Sequence, residues 1–239
     1  MITLALDTAT DRCTVAASDG ERVAHAFLDG SRRHAAAIIG LIDQALQDIG
    51  VAGSDIGRVV VGDGPGSFTG LRVAASVAKA LAWQRRMEWL VAPSLLVRAA
   101  AHVPPEGGVV LALSDALRGE LYAGCWQITR SAVVRFGPTA RAVVPASLAD
   151  QRPYDVVVGS IPLELMDQVR IATGCEPITG ARALPDARQL LWLADRAGGT
   201  FRVDDPAGWQ PAYGRPVEAQ AAWERTHGME LPSAPGIPR

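Results

Sequence analysis

The amino-acid sequence predicts an α/β protein of two similar lobes, each a mixed β-sheet flanked by helices. Three observations support this prediction. In the first half, short apolar runs alternate with longer segments whose apolar residues recur at helical spacing. The pattern breaks at residues 104–108, where two prolines and two glycines indicate a domain boundary. Beyond that boundary the pattern of the first half returns, which indicates a duplicated unit.

Two pairs of similar runs carry the repeat. Residues 4–9, Leu-Ala-Leu-x-x-Ala, match residues 111–116, and the run Val-Val-Val-Gly at 59–62 returns at 156–159. Alanine and valine are common in this chain, so chance similarity remains the alternative explanation. Duplication would give each half a hairpin, a helix and a buried strand.

The first half opens with three predicted strands, which are apolar runs at 2–6, 13–17 and 22–28 separated by polar turns. A predicted helix follows, with Ser31 as its N-cap and Gly50 just beyond its end. The apolar residues that recur along this helix are Ala35, Ile38, Ile42, Ala45, Leu46 and Ile49.

Four further elements complete the first half. They are a buried strand at 58–62, a helix at 70–84, a strand at 89–92 and a helix at 94–101 that Ser94 caps. The helix at 70–84 has almost no polar face, because only Ser76 and Lys79 interrupt its apolar residues. A helix that is apolar on all sides is buried on more than one side. Its second side either contacts a partner subunit or belongs to a well-covered core.

The second half contains a predicted strand at 156–159 and weaker helical patterns, the strongest of them at 186–197. We therefore predict an N-terminal lobe at 1–103, a C-terminal lobe at 104–223 and a disordered, proline-containing tail at 224–239. Whether the last helix of the second lobe packs back on the first lobe is left open.

The composition is typical of a soluble globular protein. Of 239 residues, 49% are apolar and 20% are charged. The formal net charge of −2 disfavours a free-standing nucleic-acid binder. No apolar run approaches the ~18 residues of a membrane span, and residues 1–7 lack the basic stretch of a signal peptide. The three cysteines form no CxxC pair, so we predict a reduced, cytoplasmic protein.

The strongest local signal is a glycine-rich loop at residues 62–72, Gly-Asp-Gly-Pro-Gly-Ser-Phe-Thr-Gly-Leu-Arg. Glycine lets the backbone approach a partner closely. Ser67 and Thr69 can cap the following helix, whose N-terminal amides suit an anion. The loop is not a Walker P-loop, because no Lys-Ser/Thr pair closes it. A loop that binds phosphate or a partner and a tight strand-to-helix connection without a ligand both fit the pattern.

Two aspartates lie at matching turns of the two units. Asp7 ends the first predicted strand, and Asp115 lies at the corresponding turn of the second unit. Such acids can hold a metal-bound water or a nucleotide phosphate, and ordinary turn aspartates are the alternative. The candidate residues for a nucleotide or phosphate are Asp7, Thr8, Gly64, Gly66, Ser67, Thr69 and Gly70.

No pattern of catalytic or metal-ligating residues stands out. The histidines are His25, His34, His102 and His227. They form neither an i, i+4 pair nor an HExxH motif, so a protease-type zinc site is not supported. The GxSxG motif of serine hydrolases is also absent. We therefore assign no catalytic residue and no metal site, and expect His34 to lie at a surface or interface.

The sequence resembles the bacterial TsaB (YeaZ) family of tRNA threonylcarbamoyladenosine biosynthesis proteins. The most specific string is GPGSFTGLR at residues 64–72. Further resemblance lies at residues 4–10, 33–34, 61–63, 92–95, 115–122 and, weakly, 211–215. The resemblance is good in the first half of the chain and loose in the second half.

The resemblance implies the duplicated actin-like ATPase (ASKHA, ribonuclease H-like) fold. It also implies a non-catalytic paralogue of TsaD, the subunit that transfers the threonylcarbamoyl group to the adenosine beside the anticodon of ANN-decoding tRNAs. The implied partners are a TsaD-like subunit, a TsaE-like ATPase and, through the complex, tRNA. Whether the isolated chain forms a homodimer is left open, and the partner interface is a possible site for ATP or ADP.

Docking on the paralogue is expected to use helices of the first domain. The candidate interface residues are Arg33, His34, Ala37, Ile38, Leu41, Arg72, Ala75, Ala78 and Lys79. In TsaD-like proteins a metal-binding HxxxH follows the glycine loop, where this sequence offers Ser94 and Arg98. Neither suits an iron or zinc ion, which implies a lost active site.

Two rival functions compete with the scaffold interpretation. The first is a stand-alone actin-like-fold ATPase or small-molecule kinase that uses Asp7 and the glycine loop. The second is a metalloprotease, after the glycoprotease-like label attached to relatives, and the absence of ligand spacing argues against it.

Overall fold

The computed structural model describes residues 1–30, 33–84, 87–151 and 153–214. Two mixed β-sheets alternate with layers of helices, as predicted. The first sheet has the order β10-β5-β4-β1-β2-β3 and the second the order β8-β7-β6-β9. The strands of the first half are β1 Ile2–Asp7, β2 Arg12–Ser18, β3 Val23–Asp29, β4 Ile56–Gly62 and β5 Glu88–Ala92. Those of the second half are β6 Gly108–Asp115, β7 Leu121–Ile128, β8 Val133–Val143, β9 Val156–Ser160 and β10 Phe201–Arg202.

Five α-helices connect the strands of the described chain. They are α1 His34–Asp48, α2 Phe68–Gln84, α3 Ser94–Ala100, α4 Leu163–Thr173 and α5 Arg188–Ala194. Short 3₁₀ helices lie at Gly53–Asp55, Pro145–Gln151 and Gly180–Ala183. No helix in the described ranges combines the length and apolar character needed to cross a membrane.

The pairing of strands confirms the duplication. In the first sheet β1 pairs antiparallel with β2 and parallel with β4. In the second sheet β6 pairs antiparallel with β7 and parallel with β9. The two runs that repeat in the sequence therefore lie on equivalent strands of the two sheets, β1 and β4 in the first and β6 and β9 in the second.

Three hydrophobic clusters define the layers. Leu4, Leu6 and the buried faces of α1 and α2 form a cluster on one side of the first sheet. Ala5, which points to the opposite side, belongs to a central cluster that includes α3, α5 and one face of the second sheet. The outer face of the second sheet packs against α4. Since side chains alternate along a strand, each sheet buries both faces.

Several element boundaries differ from the predicted ones. Helix α1 begins at His34, and the predicted cap Ser31 lies outside the described residues, as does the predicted tail at 224–239. Helix α2 begins at Phe68, two residues before the predicted start. The sequence analysis missed α4, which lies between Pro162 and the left-handed Gly174 at φ +71°.

The C-terminal part of the described chain returns to the first sheet. Helix α5 packs on β1, β2, β4 and β5. Strand β10 pairs antiparallel with β5, and Val203 N donates to Trp89 O at 2.9 Å. Helix α5 and strand β10 therefore contact the first sheet, although the predicted lobe at 104–223 includes them.

Candidate functional site

The glycine-rich loop joins β4 to α2 and packs against the turn between β1 and β2. A Cβ at Gly66 would lie 2.2 Å from Ala9 O, and one at Gly70 would lie 2.0 Å from Thr8 O. Thr8 Oγ1 donates to Gly70 O at 2.6 Å. Ser67 N donates to Ala9 O at 2.8 Å. The glycines are therefore required for close contact with the chain's own turn.

Several amides of the loop are bonded within the chain. Ser67 N donates to the turn, Gly64 N donates to Ser94 Oγ at 3.1 Å, and Gly70 N donates to Ser67 Oγ at 3.2 Å. The last bond is the predicted cap of α2. These amides are not available to a phosphate, so the strand-to-helix connection accounts for this part of the motif. Nucleotide binding stays a prediction.

An open cleft of about 1050 Å³ lies between the two lobes. From the first lobe the turn after β1 and the loop before α2 line it. From the second lobe the end of β6 and the following turn line it. Its polar and aromatic lining residues are Thr10, Asp11, Ser67, Phe68, Arg98, Ser114, Asp115, Arg118, Glu120, Tyr122, Ser160 and Tyr213.

The predicted nucleotide residues do not gather around this cleft. Gly66 and Ser67 line it, whereas Asp7 and Thr8 are fully buried. Thr69 lies on the outer surface of α2 instead. Among the predicted residues, only part of the loop therefore faces a space that a small molecule can enter.

Asp7 is a buried acid at the carboxyl end of β1. Its Oδ1 accepts a hydrogen bond from Ala9 N at 2.9 Å. Burial raises the pKa of Asp7, while the Ala9 amide, the Ser94 side chain and the charge of Arg98 act in the opposite direction. By contrast, Asp115 is exposed and its Oδ1 accepts from Leu117 N at 2.7 Å, as a turn aspartate does.

Arg98 brings a positive charge into the interior from helix α3. The residue is 2% exposed, and its Nη1 donates to the carbonyl of Leu113 at the end of β6. Burial lowers the pKa of Arg98 to about 10, and the charge of Asp7 opposes this shift. The guanidinium therefore stays charged at neutral pH and connects the two lobes.

These residues do not fit a metal ion. A cation beside Asp7 would lie next to the charged guanidinium of Arg98, and the Oγ of Ser94 already accepts the Gly64 amide. Within the described ranges, no three His, Cys, Asp or Glu side chains lie close enough to hold a metal ion together. A second acid, Asp63, lies near Asp7, and burial raises its pKa to about 7.

A second concave surface lies on the outer side of the first lobe. It is a groove of about 490 Å³ between α1 and α2, which we call the docking groove. Ile39 and Phe68 contribute exposed apolar surface, at 57% and 36% exposure. Arg72 and Ser76 are exposed beside them. The residues that line the docking groove are Ala35, Ile38, Ile39, Phe68, Thr69, Arg72, Val73, Ser76 and Val77.

Several predicted interface residues are buried within the chain itself. Ile38, Ala75 and Ala78 are 2%, 6% and 0% exposed, so they pack the core beneath the helices. His34 is 6% exposed, and its Nε2 lies 2.7 Å from Thr10 O. The expectation that His34 lies at a surface or interface is therefore wrong, because its ring supports the turn after β1.

The other predicted interface residues retain some exposure. Arg33 and Arg72 are exposed, and Ala37 and Leu41 are partly buried. Lys79 is partly exposed, and its Nζ donates to Ala207 O at 3.0 Å, which fastens the C-terminal part of the described chain to α2.

Sequence reasoning missed two tyrosines that line the cleft. Tyr213 lines the cleft, and its ring lies 4.7 Å from that of Phe68, measured between centroids. Tyr122 lines the cleft from the second lobe. The segment at 211–215 carried only a weak resemblance, and nothing in its pattern indicated contact with a loop far away in the sequence.

Comparison with known proteins supports the family assignment. The family model described as "TsaD: tRNA N6-adenosine threonylcarbamoyltransferase" matches residues 29–141. A tRNA threonylcarbamoyladenosine biosynthesis protein TsaB from Escherichia coli is 32% identical over 237 residues, covering 95% of this chain and 99% of the relative. The TsaB of Bacillus subtilis is 26% identical over 230 residues, and this match covers 93% of this chain and 98% of the relative.

Solved structures agree with the sequence relatives. YeaZ from Pseudomonas aeruginosa is 28% identical with a TM-score of 0.69, covering 81% of this chain and 90% of its own. A second structure is that of an uncharacterized protein with similarity to peptidase YEAZ from Pseudomonas aeruginosa. It is 26% identical with a TM-score of 0.72, and the match covers 90% of this chain and 99% of that chain. The predicted duplicated actin-like fold is thus confirmed. With 32% identity over nearly the full length of both chains, this chain belongs to the TsaB family of tRNA threonylcarbamoyladenosine biosynthesis proteins.

Proposed function

We propose that this chain is a non-catalytic subunit in the formation of threonylcarbamoyladenosine in tRNA. In this proposal it docks on a TsaD-like subunit, which transfers the threonylcarbamoyl group to the adenosine beside the anticodon of ANN-decoding tRNAs. A TsaE-like ATPase and tRNA join through the complex, in the cytoplasm. The names of its relatives support the pathway, and the match to the TsaD family model supports descent from a common fold.

The observation that carries the docking proposal is the exposed apolar groove between α1 and α2. Ile39 is 57% exposed there, and Arg72 and Ser76 flank the apolar surface with polar groups. An apolar centre with a polar rim is the usual anatomy of a protein interface. The TsaD family model matches the stretch that contains both helices, so a paralogue can present a similar pair of helices to this face.

The buried Arg98 supports a role without catalysis. Its guanidinium lies where the resemblance implies the second ligand of a metal site, and it is 2% exposed and bonded to a backbone carbonyl. A positive charge at this position opposes the binding of a cation. Arg98 therefore argues against the metal chemistry that the resemblance assigns to the catalytic paralogue.

The proposal is tested by placing a charged side chain in the docking groove. Ser76 is exposed on α2 and lines the groove, so Ser76→Arg should leave the fold intact and obstruct the partner. Leu163, 87% exposed at the start of α4, supplies the matched control Leu163→Arg on the other lobe. We expect calorimetry with the TsaD-like paralogue to show binding by the wild-type and control chains, and at least tenfold weaker binding by Ser76→Arg.

Modification of tRNA provides the second readout. We expect the paralogue to modify tRNA only when a binding-competent form of this chain is added, and the lone chain to produce no modified adenosine. Modification of tRNA by the lone chain would disprove the non-catalytic role. Equal affinity of the wild-type and Ser76→Arg chains would disprove docking through this groove.

A further inference from the structure

A short C-terminal segment closes over the glycine-rich loop and holds it against the second lobe. This closing segment comprises residues 211–214. Ala212 N donates to Asp63 O at 2.7 Å, and a Cβ at Gly64 would lie 2.3 Å from Ala212 O. On its other side, a Cβ at Gly214 would lie 2.7 Å from the ring of Tyr122 in β7. The segment therefore fits tightly between the loop and the second sheet.

Tyr213 of the closing segment contacts the first residue of α2. Its ring and that of Phe68 are 4.7 Å apart between centroids and tilted by 41°. The guanidinium of Arg72 lies 5.4 Å from the Phe68 centroid. Phe68 thus has an aromatic neighbour and a cationic neighbour, both of which favour one orientation of its ring.

Phe68 occupies a position shared by both concave surfaces. Among the described residues it alone lines both the cleft between the lobes and the docking groove. Its backbone is fixed, because the first turn of α2 is pressed against the turn after β1 through Gly70 and Thr8. The side chain, at 36% exposure, is held by its ring contacts instead.

We propose that Tyr213 is a positioning residue for the docking groove, holding the Phe68 ring in the orientation that the TsaD-like partner contacts. The inference rests on the proposed function and adds to it a residue that lies outside the groove itself. Tyr213 lines the cleft and not the groove, so its effect on docking passes through Phe68. A loose phenylalanine would have to be ordered on binding, at a cost in affinity.

Three variants of the full chain test this inference. Tyr213→Ala removes the ring, and Tyr213→Phe keeps the ring and removes only the hydroxyl. Phe201→Ala is the control, because it removes an aromatic ring on β10 that is 56% exposed. This ring lines neither the cleft nor the docking groove. We expect calorimetry with the TsaD-like paralogue to show about threefold to tenfold weaker binding for Tyr213→Ala, with wild-type affinity for the other two.

A double variant separates positioning from general loss of structure. If Tyr213 acts through Phe68, the combined Phe68→Ala and Tyr213→Ala chain should bind no more weakly than Phe68→Ala alone. Nuclear magnetic resonance of the isolated chain gives a partner-independent readout. We expect Tyr213→Ala to shift or broaden the ring-proton resonances of Phe68, while the backbone amides of the first turn of α2 keep their wild-type exchange rates.

The results distinguish this inference from the function on which it rests. A wild-type chain that fails to bind the paralogue would overturn both. Binding by the wild-type chain together with equal affinity of Tyr213→Ala would overturn the inference alone. Additive losses in the double variant would also overturn it, since Tyr213 would then act on docking independently of Phe68.

Discussion

Arg98 and Asp7 place opposite charges inside the protein at the point where the two lobes meet. Taking each charge out of water is costly, and their mutual attraction together with the Leu113 carbonyl offsets part of that cost. Asp63 is a second acid near Asp7, and the charge of Asp7 adds to the effect of burial on the pKa of Asp63.

The pKa of Asp63 predicts a pH-dependent stability. Burial raises this pKa from 3.8 to about 7, so between these values the native chain holds a proton that the unfolded chain has lost. The contribution of Asp63 to the free energy of unfolding should therefore fall as the pH rises from about 4 to about 7, by at most about 1.4 kcal/mol per pH unit. Asp63→Asn should flatten this fall, as measured by urea unfolding across that range.

Asp43→Asn supplies the control, because Asp43 is an exposed acid on α1. It should leave the slope of stability against pH as it is in the wild-type chain. An unchanged slope in Asp63→Asn would show that the Asp63 carboxyl ionises in the native chain as it does in the unfolded one.

The glycine-rich loop shows what sequence could and could not predict about an element. Its position between a buried strand and a helix was predicted, and so was the cap by Ser67, because both depend on local pattern. The residues that the glycines contact were not predicted, because Thr8 and Ala9 are far away in the sequence. A pattern of glycines indicates close approach without indicating what approaches.

Helix α4 was missed for a different reason. Its buried residues Leu165 and Val169 have helical spacing, but Leu163 and Ile171 are 87% and 77% exposed. Apolar residues on the solvent side weaken the contrast between faces on which a periodicity argument depends. The flanking Pro162 and Gly174 were the available signal.

Two glycines in helices predict effects of opposite sign on stability. A Cβ at Gly70 in α2 would lie 2.0 Å from Thr8 O, whereas a Cβ at Gly40 in α1 meets nothing within 4 Å. Gly70→Ala should lower the free energy of unfolding by about 1–3 kcal/mol, since the backbone must shift. Gly40→Ala should raise it by about 0.5–1 kcal/mol through helix propensity. Urea unfolding measures both, and equal shifts would contradict the packing of the loop on the turn.

We propose that the two lobes form one folding unit, because both sheets pack against the same central layer of helices. Residues of both sheets, of α3 and of α5 belong to one hydrophobic cluster. Sequence could predict the two halves because each repeats the same strand pattern. It could not place β10, since the two residues Phe201–Arg202 carry no pattern and pair with β5 through contacts made only in the folded chain.

Leu190 tests this shared core. It lies on α5, is fully buried and packs in the cluster that joins the two sheets. Leu190→Ala should lower the free energy of unfolding by about 2–5 kcal/mol through lost burial and the cavity left behind. Because both sheets rely on this layer, calorimetry should still show one transition at a lower temperature. Leu163→Ala, at an exposed site on α4, should change stability by less than about 0.5 kcal/mol. Two separated transitions, with only one shifted by Leu190→Ala, would mean that the lobes fold independently and that α5 belongs to one of them.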